Sequence, residues 1–134
     1  MSAFTNRELE YLTERLPERL GRIATVGKDG SPHVVPVGWR FNPEHDSIDI
    51  GGMNLAASKK FKDVRRSGRA SIVIDELVSV DPWQPRGIEI RGRAEALEGD
   101  RPRIRIHPER IVSWGIEDAE FTRRHSRAVT VTPG

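Results

Sequence analysis

The stretch Arg22-Ile23-Ala24-Thr25-Val26-Gly27-Lys28-Asp29-Gly30-Ser31-Pro32-His33-Val34-Val35-Pro36-Val37 decides the fold. Its two arms are rich in β-branched residues, and Gly27-Lys28-Asp29-Gly30 between them supplies the turn chemistry of a β-hairpin. The second arm runs on through Gly38-Trp39-Arg40-Phe41 before Asn42-Pro43-Glu44-His45-Asp46 turns the chain again. Ser47-Ile48-Asp49-Ile50-Gly51-Gly52 then alternates with the period of two that marks a half-buried strand. Three antiparallel strands follow from this region alone.

Working outward, Thr5 and Glu8 form a capping box, and Leu9, Leu12 and Leu16 recur at helical spacing until Pro17. This predicts a short amphipathic helix over residues 5–16. Downstream, Ser58 stands at an N-cap position, Ala57, Phe61 and Val64 share one helical face, and Gly68 is placed to stop a second helix. Strands follow at Ala70-Ser71-Ile72-Val73-Ile74-Asp75 and across residues 87–97, with a proline-marked loop carrying Trp83 between them. Residues 103–112 read as a further strand in which Pro108 marks an edge or a bulge, and Ala128-Val129-Thr130-Val131 as a last extended piece. Strands joined by short turns cannot run parallel, so the expectation is a mainly β chain with short helices forming a six-stranded antiparallel barrel.

The 134 residues fit one domain, read as a helix over 5–16, a barrel over about 20–114 and a tail over 115–134. Only 36% of residues are hydrophobic and 31% are charged, which calls for a thin barrel or a core completed by a second subunit. The net charge of +2 is too small for a field that condenses on DNA, and at 6% aromatic the chain lacks stacking platforms for single strands, so no nucleic-acid partner is expected. The chain has no cysteine, which removes disulfides, thiolate zinc sites and cysteine nucleophiles. Neither a signal-peptide core nor a membrane-spanning run is present, and a cytoplasmic location is expected.

Of 22 lysines and arginines only four are lysine, and Lys59, Lys60 and Lys62 fall together behind Ser58. A hydroxyl, ammonium groups and the free N–H groups of a helix start converge there, which makes an anion site; solvation of an outer helix face is the plainer alternative. Gly38, Gly51 and Gly52 interrupt or end strands, where barrel curvature or close approach of a flat ring explains glycine. His33, His45, His107 and His125 lack metal-ligand spacing, so no metal is assigned. No nucleophile elbow, P-loop or dinucleotide fingerprint follows a strand, which leaves the chemistry to a cofactor.

The ordered set Ser31-Pro32-His33-Val34-Val35-Pro36-Val37-Gly38-Trp39, Ile48-Asp49-Ile50-Gly51-Gly52, Ser58-Lys59-Lys60-Phe61-Lys62-Asp63-Val64 and Gly87-Ile88-Glu89-Ile90-Arg91-Gly92-Arg93-Ala94-Glu95 resembles the pyridoxamine 5′-phosphate oxidase-like family. Within it the likeness is to small members that use the deazaflavin coenzyme F420. The resemblance implies a Greek-key, FMN-binding-type split β-barrel and a homodimer with two cofactor sites at its interface. It places the cofactor phosphate on Ser58, Lys59 and Lys60, in a Lys-x-x-Asn pattern whose asparagine is Asp63 here. It places the ring along Val35, Pro36 and Val37 and along Gly51 and Gly52. Asp63 departs from the pattern and is expected to pair with Lys59 or Arg66, and the connection after Leu97 is short. The implied activity is F420-dependent hydride transfer to a small conjugated or heteroaromatic substrate, with catalytic residues unassigned. FMN chemistry on the same fold, or non-catalytic binding of a flavin, deazaflavin or tetrapyrrole, are the alternatives.

Overall fold

The computed structural model describes residues 1–14, 19–118 and 123–130. Helix α1 (Asn6–Thr13) begins on the expected capping box: Glu8 N–H donates to the Thr5 hydroxyl at 3.1 Å, and Thr5 N–H donates to the Glu8 carboxylate at 2.9 Å. The helix is shorter than the expected 5–16: it stops at Thr13, where Glu14 turns to extended backbone, and Leu16 and Pro17, expected to close it, lie outside the described residues. The second helix, α2 (Lys59–Ser67), is capped by Ser58 and stopped by Gly68 in the left-handed conformation, as its sequence predicts.

The opening hairpin forms from β1 (Gly21–Val26) and β2 (Pro32–Val37), with Val26 opposite Pro32 and Gly21 opposite Val37. The extended run through Phe41 is two strands, not one. It breaks at Gly38, because β2 pairs with β1 whereas β3 (Trp39–Asn42) pairs with β4 (Ser47–Ile50). The remaining strands are β5 (Arg69–Ser79), β6 (Gln84–Leu97), β7 (Arg103–Trp114) and β8 (Arg124–Ala128). All pairs are antiparallel in the order β2-β1-β5-β6-β7-β4-β3, with β8 added beside β7. Only Gly38 separates the two ends of that order, so the sheet curls back on itself as a barrel. The jumps from β1 to β5 and from β4 to β7 give it Greek-key connectivity. The six expected strands are recovered when β2 and β3 are taken as one bent strand; the break at Gly38 and the added β8 raise the count to eight among the described residues.

Two other local expectations change. The supposed loop around Trp83 is a continued β5–β6 hairpin, with Glu76 opposite Arg86 and Leu77 opposite Pro85, and it leaves Trp83 60% exposed beside its tip. Strand β8 starts at Arg124, earlier than the expected 128–131 piece, and Val131 lies outside the described residues. Pro108 does mark a bulge: it faces Gly92 where the β6–β7 register shifts. On its other side β7 pairs with β4 over residues 104–106 and with β8 over residues 110–114, so the missing proline N–H falls at the changeover. A methyl group at Gly92 would collide with the His107 carbonyl, which fixes glycine there.

The interior is built from isoleucine. Ile23, Ile48, Ile50, Ile72, Ile74, Ile88, Ile90, Ile104, Ile106 and Ile111 are all fully buried, as is Phe61 of α2. Each contributes roughly 1.5–3 kcal/mol of burial, and β-branched side chains fill a narrow barrel without bulky rings. Glu8 is also fully buried; Arg127 of β8 meets it at 2.8 Å and ties α1 to the far end of the chain. No helix among the described residues is long and apolar enough to cross a membrane.

Candidate functional site

Strand β4 ends at Ile50, Gly51 and Gly52 carry the chain out of the sheet, and a 3-10 turn (Leu55–Ala57) delivers it to α2. Ser58 accepts a hydrogen bond from Phe61 N–H at 3.4 Å and donates its own proton to the Leu55 carbonyl at 2.6 Å. Its hydroxyl therefore braces the turn as well as the helix start. Lys59 extends 59% exposed and meets the Asp63 carboxylate at 3.4 Å. Lys60 is half-buried and has no carboxylate partner among the described residues, and Lys62 is exposed. Of the two partners expected for Asp63, the structure selects Lys59; Arg66 donates instead to the Val26 carbonyl.

Asp63 is buried, and its second oxygen accepts the Thr25 hydroxyl of β1 at 2.9 Å. Burial works to raise its pKa, but the hydrogen bonds from Thr25 and Lys59 and the Lys59 charge outweigh it and hold the carboxyl below its ordinary value. The helix start thus combines one lysine partly neutralised by Asp63 and one left free. Lys59 also lines a depression of about 480 Å³ with Lys28, Asp29, Ser31 and His33. Lys28 and His33 carried no signal of their own in the sequence. The β1–β2 register folds their turn back over the start of α2, which only the pairing reveals.

Gly38, Gly51 and Gly52 line a larger cleft of about 680 Å³. A methyl group added at any of the three would meet nothing within 4 Å. Elsewhere the fold does demand glycine: at Gly87 a methyl group would lie 2.6 Å from the Asp75 Cβ and 2.8 Å from the Ile74 carbonyl oxygen. Gly52 needs glycine for its backbone, with φ at +143°. Gly38 is the strand break, so curvature accounts for it. No packing among the described residues accounts for Gly51. The three together leave bare backbone facing open space, a surface that a planar ring fits. Val35 is 39% exposed and Pro36 is exposed, while the Val37 side chain is buried in the core and has only its backbone to offer. The structure thus groups Ser58, Lys59 and Lys60 at one helix start and Gly51 and Gly52 at a neighbouring cleft, with Val35, Pro36 and Val37 leading into Gly38.

Behind the glycines, Arg105 grips Asp49 through two hydrogen bonds of 3.0 and 3.1 Å. Asn42 and Ser47 donate to the same carboxylate at 2.8 and 3.0 Å. Burial opposes ionisation of Asp49, yet these four bonds keep its pKa below the usual range, and the Asp49 contact raises that of Arg105. Asp49 is a saturated structural anion on the cleft wall.

The family described as pyridoxamine 5′-phosphate oxidase matches residues 8–132. A 5a,11a-dehydrotetracycline/5a,11a-dehydrooxytetracycline reductase from Streptomyces rimosus subsp. rimosus is 40% identical over 140 residues, covering 98% of this chain and 96% of that protein. Among solved structures, a conserved hypothetical protein from Mycobacterium tuberculosis superposes with a TM-score of 0.66 at 22% identity, over 83% of this chain and 84% of that one. A structure described as an F420 reductase gives 0.56 at 20% identity, over 76% of this chain and 94% of that one. These two likenesses show the fold, a split β-barrel. With nearly its whole length matched, the chain belongs to the pyridoxamine 5′-phosphate oxidase family.

Proposed function

We propose that the protein is an F420-dependent reductase that works as a homodimer and transfers a hydride to a conjugated polycyclic acceptor. The observation that carries this reading is the pairing of an uncluttered glycine surface at Gly51 and Gly52 with a lysine-bearing helix start eight residues from Gly52 at Lys60. A planar ring joined to a phosphate matches that pair. The full-length likeness to a dehydrotetracycline reductase supports both the oxidoreductase class and the acceptor class.

Bound F420 supplies the hydride donor. The chain supplies placement. Lys60, which meets no carboxylate among the described residues, and Lys59 attract the phosphate, while the N–H groups at the α2 start add their share of the helix dipole. Ser58 fixes the direction of that helix start through its bond to Leu55. Backbone at Val35, Pro36, Val37, Gly51 and Gly52 holds the ring flat, so that binding energy gathered at the remote phosphate orients the reacting face. Val34 of β2 is 65% exposed and lies directly opposite the exposed Ala24 of β1 on one face of the sheet. This apolar outer surface suits a second copy, whose docking would enclose the cofactor.

The test is oxidation of reduced F420 followed by absorbance, with 5a,11a-dehydrotetracycline as acceptor and reduced FMN in a parallel reaction. Turnover with F420 and none with FMN supports the proposal. Turnover with FMN alone replaces the cofactor, and tight binding of either without turnover points to a carrier.

A further inference from the structure

We propose that the cleft lined by Gly51 and Gly52 also contains an anion-binding subsite in which Arg40, Arg101 and Arg103 hold an acidic oxygen group of the acceptor. This rests on the proposed reductase activity only for the identity of the ligand. Arg40, Asp49 and Arg105 form one cross-strand row on β3, β4 and β7, and the β6–β7 turn brings Arg101 and Arg103 to the same cleft. Asp49 has its oxygens filled by Arg105, Asn42 and Ser47, so it does not neutralise the other three guanidiniums.

Those three differ from the arginines tied up in ion pairs. Arg19, Arg22, Arg65, Arg69, Arg86, Arg91, Arg93, Arg105 and Arg127 each meet a carboxylate. Arg40, Arg101 and Arg103 have no carboxylate partner among the described residues, and Arg103 donates only to the Arg101 carbonyl, at 3.3 Å. Unpaired cations gathered around one concavity repel each other unless an anion joins them. Glu44 is the other carboxylate lining the cleft, alongside His45, and leaves the arginines in excess. The cleft shares no lining residue with the depression at Lys59, which separates this charge from the lysines assigned to the cofactor phosphate. Guanidinium forks suit a ligand with two adjacent oxygens, either a carboxylate or the enolate of a 1,3-dicarbonyl.

Tetracycline, whose 1,3-dicarbonyl system is ionised at neutral pH, is the probe. Its binding to the purified protein is measured by equilibrium dialysis for the wild type and for the Arg40→Gln, Arg101→Gln double variant, with F420 affinity measured in parallel by fluorescence. Both side chains are exposed and meet no carboxylate among the described residues, so the variant should keep its unfolding midpoint. The expected result is a loss of about tenfold or more in tetracycline affinity with F420 affinity unchanged, and weaker wild-type binding as salt rises. Tetracycline binding that is absent from the wild type or indifferent to the substitutions overturns the subsite. A loss confined to F420 also overturns it, because the arginines would then serve the cofactor's anionic tail. Dialysis needs no hydride transfer: arginine-dependent tetracycline binding by a protein that takes neither F420 nor FMN would sink the reductase reading and leave this one standing.

Discussion

Thr25 on β1 donates its hydroxyl to the buried Asp63 carboxylate on α2 across 2.9 Å, and the same carboxylate holds Lys59 at 3.4 Å. One acid therefore fastens the helix to the barrel and restrains a lysine of the proposed phosphate site. Its two jobs separate on substitution. Asp63→Ala strands the Thr25 hydroxyl in a buried setting and should cost about 1–3 kcal/mol in denaturant unfolding. Asp63→Asn keeps an acceptor for Thr25 and releases Lys59, so F420 affinity should rise about twofold to fivefold, the scale of an exposed ion pair. A fall in affinity for the asparagine variant would show that Asp63 helps the site rather than restraining it.

Asp49 and Asp63 both have folded-state pKa values held below their ordinary ones, and both are buried. The unfolded chain therefore takes up protons first as pH falls. The stability these acids contribute is complete above their unfolded value of about 4 and is lost as pH drops through the folded values. Denaturation midpoints measured between pH 7 and pH 3 should decline most steeply at the acid end. Asp49→Asn should flatten that decline while lowering stability at pH 7, where Arg105 loses its partner. An unchanged acid slope in the variant would contradict the assignment.

Hydrophobic period and turn chemistry made most of the fold legible. The capping box at Thr5 and Glu8, the hairpin at Gly27-Lys28-Asp29-Gly30 and the Ser58 and Gly68 caps all form as local chemistry dictates. What stayed hidden depends on partners distant in sequence. The run through Phe41 reads as one strand because nothing local says that its halves pair with different neighbours. Asp49 is one polar residue in an alternating strand until Arg105, 56 residues later, is laid beside it. The lysine cluster was visible as composition, but the Thr25 bond that orients Asp63 was not. Lys28, His33 and Arg40 reach their clefts only through strand register.

The glycines divide into two kinds, and substitution should tell them apart. Gly51→Val faces open space, so it should fold with stability within about 1 kcal/mol of wild type yet lose F420 binding by tenfold or more. Gly92→Ala meets the His107 carbonyl and should destabilise the barrel by about 3 kcal/mol or more. Thermal unfolding and cofactor fluorescence separate the two effects. Unimpaired binding by the valine variant would remove Gly51 from the ring surface.

Arg127 and Glu8 join the two ends of the chain. Arg127→Ala leaves the fully buried Glu8 carboxylate without its cation and should cost about 3 kcal/mol. Pairing it with Glu8→Gln should recover part of the loss. Equal destabilisation in the single and double variants would show that the arginine acts through packing alone.

The central claim is that the α2 start anchors a cofactor phosphate, and fluorescence titration of the purified protein with F420 and with FMN, repeated on Lys60→Ala, tests it most directly. The account predicts saturable F420 binding that weakens about tenfold or more in the variant, while the unfolding midpoint stays put. Wild-type protein that binds neither cofactor, or a Lys60→Ala variant that binds as well as wild type, would contradict it.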